Sequence, residues 1–154
     1  MIRAWRIVKA RHAGDAFSGE GARLAGGRWN HRGTTVVYAS DSLALAALEL
    51  FVHLGKARSA LSFVFFRIEI PDDVRVESIS VDGLSANWRD QPPPDATKDL
   101  GTRWVKAGKS AVLRVPSVLV PVESNYLLNP VHPEFRGIRV GAPEPFAFDP
   151  RMGK

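Results

Sequence analysis

Glu49 lies in a run of helix formers, Leu43 to Leu54, and its neighbours at helical spacing include Leu45, Ala46, Val52 and His53. A carboxylate on so apolar a face is costly to bury alone. The segment holds no lysine or arginine to pair with it, and the next cation is Lys56, beyond Gly55. A partner must therefore come from elsewhere in the fold or from a ligand. Two readings follow: a structural tie to a distant arginine, or a carboxylate that acts on a substrate, since perturbed carboxylates concentrate at functional sites. His53 is four residues on and shares the face, a spacing able to hold a metal. No His-Glu-x-x-His motif accompanies the pair, and outside the basic N-terminal end only His31 and His132 remain as further histidine ligands, which argues against a metal.

Arg28 follows Gly26-Gly27 and precedes Trp29-Asn30. The two glycines let a bulky ligand approach the backbone, and a guanidinium can grip a phosphate with two parallel bonds. The alternative is an arginine stacked on Trp29 in a turn. Tyr38 closes a strand just before the Glu49 helix, where its ring can stack on a flat heterocycle or simply fill core. Trp29, Trp88 and Trp104 read as loop aromatics able to stack on single-stranded bases, although no basic cluster is interleaved with them. The chain has no Gly-x-Gly-x-x-Gly, no Gly-Lys-Ser/Thr phosphate loop and no Gly-x-Ser-x-Gly elbow. Cysteine is absent, which excludes disulfides, thiolate zinc sites and cysteine nucleophiles.

The elements that must position these residues read as follows. Ala4 to Val8 is a short strand, and the glycine-rich passage Gly14 to Gly33 follows it. Thr34 to Ala39 is a strand rich in β-branched and aromatic residues. Ser40-Asp41-Ser42 supplies capping side chains, Leu43 to Leu54 is a helix ended by Gly55, and its apolar character all round predicts burial. Leu61 to Ile70 is a strand with three phenylalanines, stopped by Pro71-Asp72-Asp73, and Val74 to Ile79 is another. Residues 82–100 read as a loop, with a short helix near Asp99–Ala107. Ala111 to Val122, broken at Pro116, forms two short strands or a bulged one. The chain from Ser124 is loop-rich apart from a strand at Gly137 to Val140.

These elements make a single α+β domain of 154 residues, with a core over about 5–135 and a C-terminal tail over 141–154. Hydrophobic residues make up 45% and charged ones 24%, which excludes a disordered or fibrous chain. Lysine and arginine number 21 against 16 acids, so the net charge of +5 points to an anionic partner: nucleic acid, a nucleotide or an acidic protein. The N-terminal segment lacks a continuous apolar core and Leu43 to Leu54 is too short to span a bilayer, so the expected location is the cytoplasm, without a membrane partner.

Taken together, Gly26-Gly27-Arg28-Trp29-Asn30, Val37-Tyr38-Ala39-Ser40, and Leu45-Ala46-Ala47-Leu48-Glu49 with His53 resemble the N-terminal half of a RES domain. Val115-Pro116-Ser117 and Asn125-Tyr126-Leu127-Leu128-Asn129-Pro130, with His132-Pro133, resemble its C-terminal half. By motif the family's arginine falls on Arg28, its glutamate on Glu49, its tyrosine on Tyr38, and its serine on Ser117 or else Ser124. Residues 82–100 match nothing in the pattern, and Trp5 stands before Arg6 where a tyrosine is more usual.

The resemblance implies a compact, split β core with surrounding helices, like that of ADP-ribosylating toxins. It also implies a bacterial toxin that consumes NAD as a substrate, not as a cofactor. It would cleave the nicotinamide–ribose bond and pass ADP-ribose to phosphate, water or a protein. The implied partners are a helix-turn-helix antitoxin and a second toxin copy, with no direct nucleic-acid binding by this chain. In that chemistry Glu49 would stabilise the oxocarbenium-like ribose, Arg28 hold the pyrophosphate, Tyr38 stack on nicotinamide, and Ser117 bond the ribose or its phosphate. Two other classes remain open on the same residues: a non-catalytic nucleotide or nucleic-acid binding module, and a protein-interaction domain.

Overall fold

The computed structural model describes residues 1–55 and 61–153, so Lys56, the cation nearest the Glu49 helix in sequence, lies outside the described residues. The strands are β1 (Ile2–Lys9), β2 (Val37–Ser40), β3 (Phe63–Ile70), β4 (Val76–Ser78), β5 (Val112–Pro116), β6 (Ser124–Leu128), β7 (Arg139–Val140) and β8 (Glu144–Phe146). The α-helices are α1 (Glu20–Ala25), α2 (Leu43–Leu54) and α3 (Asp95–Ala107). Among the described residues these eight strands join one sheet in the order β4-β5-β6-β2-β1-β3-β7, with β8 also on β3, and only β4 and β5 run parallel.

The sheet has a seam. β1 runs against β3 through eight partner pairs from Ile2↔Ile70 to Lys9↔Phe63, but it meets β2 at one pair alone, Trp5↔Ser40. Backbone carbonyls at such a seam need donors from elsewhere. Arg6 supplies one: its Nη1 donates to the Tyr38 carbonyl of β2, while its Nε donates to the Ala16 carbonyl outside the strands, both at 2.8 Å. Burial pulls the Arg6 guanidinium down to about 10, against the charge of Asp15. This single sheet, narrowed at the seam and with helices on it, is the α+β domain that the sequence predicts.

Residue alternation sends each strand's side chains to two apolar clusters. One face holds Ala4, Val37, Ala39, Ile68, Val112, Tyr126 and Leu128. The other holds Trp29, Val36, Trp88, Trp104, Leu113, Val115 and Leu127, and farther along, under α2, Ile7, Ala46 and Phe63. Phe146 and Phe148 pack on this last group, and β8 pairs with β3, so residues from the C-terminal tail take part in the sheet.

Several elements differ from the sequence reading. α2 has the expected bounds, but only Leu45 and Ala46 are buried, while Val52 is 59% exposed. A helix laid on one side of a sheet buries a single stripe, however apolar the rest of it is. Of the three capping residues only Ser42 caps, its side chain accepting the Leu45 N–H at 3.0 Å. The passage 14–33 contains α1, and α3 begins at Asp95, inside the stretch read as loop. The loop-rich segment from Ser124 opens with a strand. This is β6, which pairs antiparallel with both β5 and β2 at the middle of the sheet. The turn residues Asn129-Pro130 and His132-Pro133 dominate that window and mask a five-residue strand.

Candidate active site

β2, β5 and β6 bring the polar residues of one sheet face beneath α2. Glu49, half-buried on α2, accepts two hydrogen bonds at Oε1: from Ser117 Oγ and from Asn125 Nδ2, each at 2.8 Å. No described residue donates to Oε2. Ser117 begins the turn between β5 and β6 and is fully buried; its hydroxyl also accepts the N–H groups of Leu119 at 3.2 Å and Val120 at 3.1 Å. One donor and two acceptor sites are all that a hydroxyl has, so Ser117 is completely engaged by protein groups. Ser124 makes no side-chain hydrogen bond among the described residues; its carbonyl accepts from the Asp41 N–H at 3.1 Å. Asn125 Oδ1 in turn accepts from Ser40 Oγ at 2.7 Å.

Arg28 is anchored by the stretch that matched no pattern. Its Nη1 donates to the carbonyls of Trp88 at 2.9 Å and Asp90 at 2.8 Å, and Nη2 to Gln91 Oε1 at 3.0 Å. It is therefore not simply stacked on Trp29. Three of the five guanidinium protons are used, which leaves Nε–H and one Nη2 proton. Burial lowers the Arg28 guanidinium from its ordinary value; the charge of Glu49, with Asp90 and Tyr38, opposes that shift, so the two site charges sense each other.

Tyr38 stands beside Arg28 on the same face. Its hydroxyl donates to Asn30 Oδ1 at 2.6 Å and accepts the Trp29 N–H at 3.2 Å. Burial pushes the phenol well above its ordinary range, so it remains neutral. Gly27 makes this approach possible, since a Cβ there would lie 2.8 Å from the Tyr38 oxygen. Asn30, fully buried, also donates to the Ala22, His31 and Thr34 carbonyls and so knots the loop that carries Arg28. α3 clamps the same loop: a Cβ on Gly101 would lie 1.7 Å from the Trp29 carbonyl oxygen, and His31 binds Thr102 and Asp99.

The structure thus brings Glu49, Ser117, Arg28 and Tyr38 to one face and leaves His53 turned to solvent. Among the described residues no group of three or more His, Cys, Asp or Glu is placed to hold a metal. The three tryptophans read as base-stacking loop residues are core instead: Trp29, Trp88 and Trp104 are 3%, 6% and 7% exposed, and Trp104 lies on α3. Residue type alone gives Asn125, Ser40 and Asn30 no role in the site, and Ser40 reads only as a helix cap. For Asn125 a signal existed, because it shares strand parity with core-facing Leu127 and so points a polar group inward. What results is a carboxylate with one uncommitted oxygen, near a guanidinium with uncommitted donors and a partly exposed aromatic ring. Such a set can grip an anion and stabilise positive charge that develops beside it.

The RES domain family model matches residues 3–149. A protein named Toxin Res from Yersinia enterocolitica is 41% identical, covering 96% of this chain and 97% of its own. The Prs ADP-ribosylating toxin of Sphingobium sp. strain YBL2 is 40% identical, over 96% and 94% respectively. Among solved structures, the M. tuberculosis MbcT-MbcA toxin-antitoxin complex contains a chain with TM-score 0.75 and 18% identity, covering 95% of this chain and 84% of that one, a likeness of fold. From the family match and these relatives together, the chain belongs to the RES domain family.

Proposed function

We propose that this RES domain is the toxin of a toxin–antitoxin pair and that it breaks the nicotinamide–ribose bond of NAD, passing the ADP-ribosyl group to phosphate, water or a protein. The observation that carries the reading is Glu49: a half-buried carboxylate held by neutral donors at one oxygen, its other oxygen uncommitted, within electrostatic reach of Arg28. The names of two relatives, Toxin Res and Prs ADP-ribosylating toxin, support the class of activity. The fold shared with a chain of a toxin–antitoxin complex supports a protein partner, which we take to be a helix-turn-helix antitoxin bound to a toxin dimer. No helix among the described residues is long and apolar enough to cross a membrane, and a chain that consumes NAD would work in the cytoplasm.

In this mechanism the bond from the anomeric carbon to the pyridinium nitrogen breaks, and nicotinamide leaves with the electron pair. Its ring charge is neutralised and positive charge moves to the ribose. The Glu49 carboxylate stabilises that charge, as carboxylates do in glycoside cleavage. An acceptor oxygen then bonds to the anomeric carbon, and the attacking water or hydroxyl gives up its proton. The free donors of Arg28 bind the pyrophosphate, and the Tyr38 ring lies against nicotinamide. Ser117 acts here by holding Glu49, because its hydroxyl is already engaged.

The test is nicotinamide release from NAD by the purified protein, with and without inorganic phosphate, against Glu49→Ala. Release that depends on Glu49 is expected, and a requirement for phosphate would identify the acceptor. Intact NAD after incubation with folded, antitoxin-free protein and a cell lysate would overturn the reading in favour of a binding module.

A further inference from the structure

We infer that Asn125 is a positioning residue for Glu49, that Ser40 completes its orientation, and that Glu49 meets substrate through Oε2 alone. The inference rests on the function proposed above. An asparagine amide has a donor end and an acceptor end, and only one arrangement suits this place. Nδ2 lies 2.8 Å from Glu49 Oε1 while Oδ1 receives the Ser40 hydroxyl at 2.7 Å. Turned over, the amide would set its carbonyl oxygen against the carboxylate, acceptor to acceptor. Ser40 is 5% exposed and Ser117 is fully buried, so water cannot readily replace either contact.

Oε1 therefore receives two charge-assisted hydrogen bonds from neutral groups, the buried Ser117 and the half-buried Asn125, and its lone pairs are occupied. Oε2 is the one oxygen left for a ligand. With two lone pairs it can accept from ribose hydroxyls, or face the developing charge, but the two carboxylate oxygens cannot each take one hydroxyl of a diol. Neither donor is charged, and among the described residues no cation touches Glu49 to cancel its charge. The relay Ser40–Asn125–Glu49 joins β2, β6 and α2, and fixes the carboxylate relative to the sheet without neutralising it.

The test uses full-length protein and NAD. Asn125→Ala is expected to lower kcat for nicotinamide release about 10- to 100-fold, the size of a lost hydrogen bond to a charged group, with KM within about threefold. Ser40→Ala should lose about three- to tenfold. In a Glu49→Gln background Asn125→Ala should cost nothing further, because the residue acts through Glu49. A second measurement does not depend on activity: the side-chain amide resonances of Asn125 should shift, and exchange faster with solvent, in Glu49→Ala. An unchanged kcat in Asn125→Ala beside an active wild type would overturn the inference. So would a rise in KM alone, or amide resonances indifferent to Glu49. If the wild type released no nicotinamide, the proposed function would fall while the amide resonances still decided the relay.

Discussion

Asn125 and Tyr126 are consecutive residues of β6 that leave the sheet on opposite faces, and each joins a network containing charge. On the first face Glu49 is held by a hydroxyl and an amide, both neutral. On the second, Arg114 Nη2 donates to the Tyr126 hydroxyl at 2.9 Å, and that hydroxyl donates to Asp41 Oδ1 at 3.1 Å. The Arg114 guanidinium also lies over the Tyr126 ring, 5.3 Å from its centre. Burial raises the Tyr126 phenol above its ordinary value; the hydrogen bond from Arg114 opposes the shift and the charge of Asp41 reinforces it. One network has a guanidinium and a carboxylate joined through a phenol. The other leaves a carboxylate held through one oxygen by neutral donors and, among the described residues, not matched in charge by a touching cation. A charge held by neutral dipoles keeps its field for a ligand, whereas one matched by its counter-charge mainly holds the fold together.

The largest effect that would sharpen this contrast is expected from Glu49→Gln. Glutamine keeps an oxygen for Ser117 and Asn125, so the thermal midpoint should move little. Nicotinamide release should fall about a thousandfold, the scale of losing a main electrostatic group of a transition state. A variant that kept activity would erase the distinction between the faces. Gly101→Ala should come next, acting on stability. Its Cβ would lie 1.7 Å from the Trp29 carbonyl oxygen, so α3 must shift off the Arg28 loop, and chemical denaturation should report a loss of about 3 kcal/mol.

Arg28→Ala should weaken NAD binding about 10- to 100-fold in calorimetric titration, the scale of lost charged hydrogen bonds. It also removes the donors for Trp88, Asp90 and Gln91, so cleavage by protease within residues 88–91 should quicken. Arg28→Lys should restore little, since an ammonium cannot present the same planar fork. Unaltered affinity would remove Arg28 from the anion-binding role. The smallest effect belongs to the opposite face. Tyr126→Phe should lower stability by about 1–2 kcal/mol, because Arg114 loses a partner where its Nε is already buried without one. Nicotinamide release should stay within twofold of wild type. A larger loss there would mean that both faces serve the site.

The triplet Ser40-Asp41-Ser42 shows how far local sequence reaches. All three residues are good caps by type, yet one caps the helix, one orients Asn125 and one binds Tyr126. Residue type declared three short polar side chains at a strand end. Their partners lie more than eighty residues away for Ser40 and Asp41, and nothing local distinguishes them. The tryptophans make the same point in reverse, since residues of 82–100, a loop by composition, bury Trp88 and anchor Arg28.

By itself the sequence determined α2, the β-rich α+β class, the absence of cysteine chemistry, and Glu49 as a carboxylate needing a partner. Those follow from periodicity, composition and the cost of burying charge, which act over a few residues. Ordered motifs were enough to bring Arg28, Tyr38 and a serine into one hypothesis. Only the tertiary structure decided that Ser117 rather than Ser124 touches Glu49, that Asn125 joins it, and that Arg28 hangs from backbone carbonyls sixty residues on. Those choices depend on strand order and register, where β6 enters between β5 and β2 and sends Asn125 and Tyr126 to opposite faces.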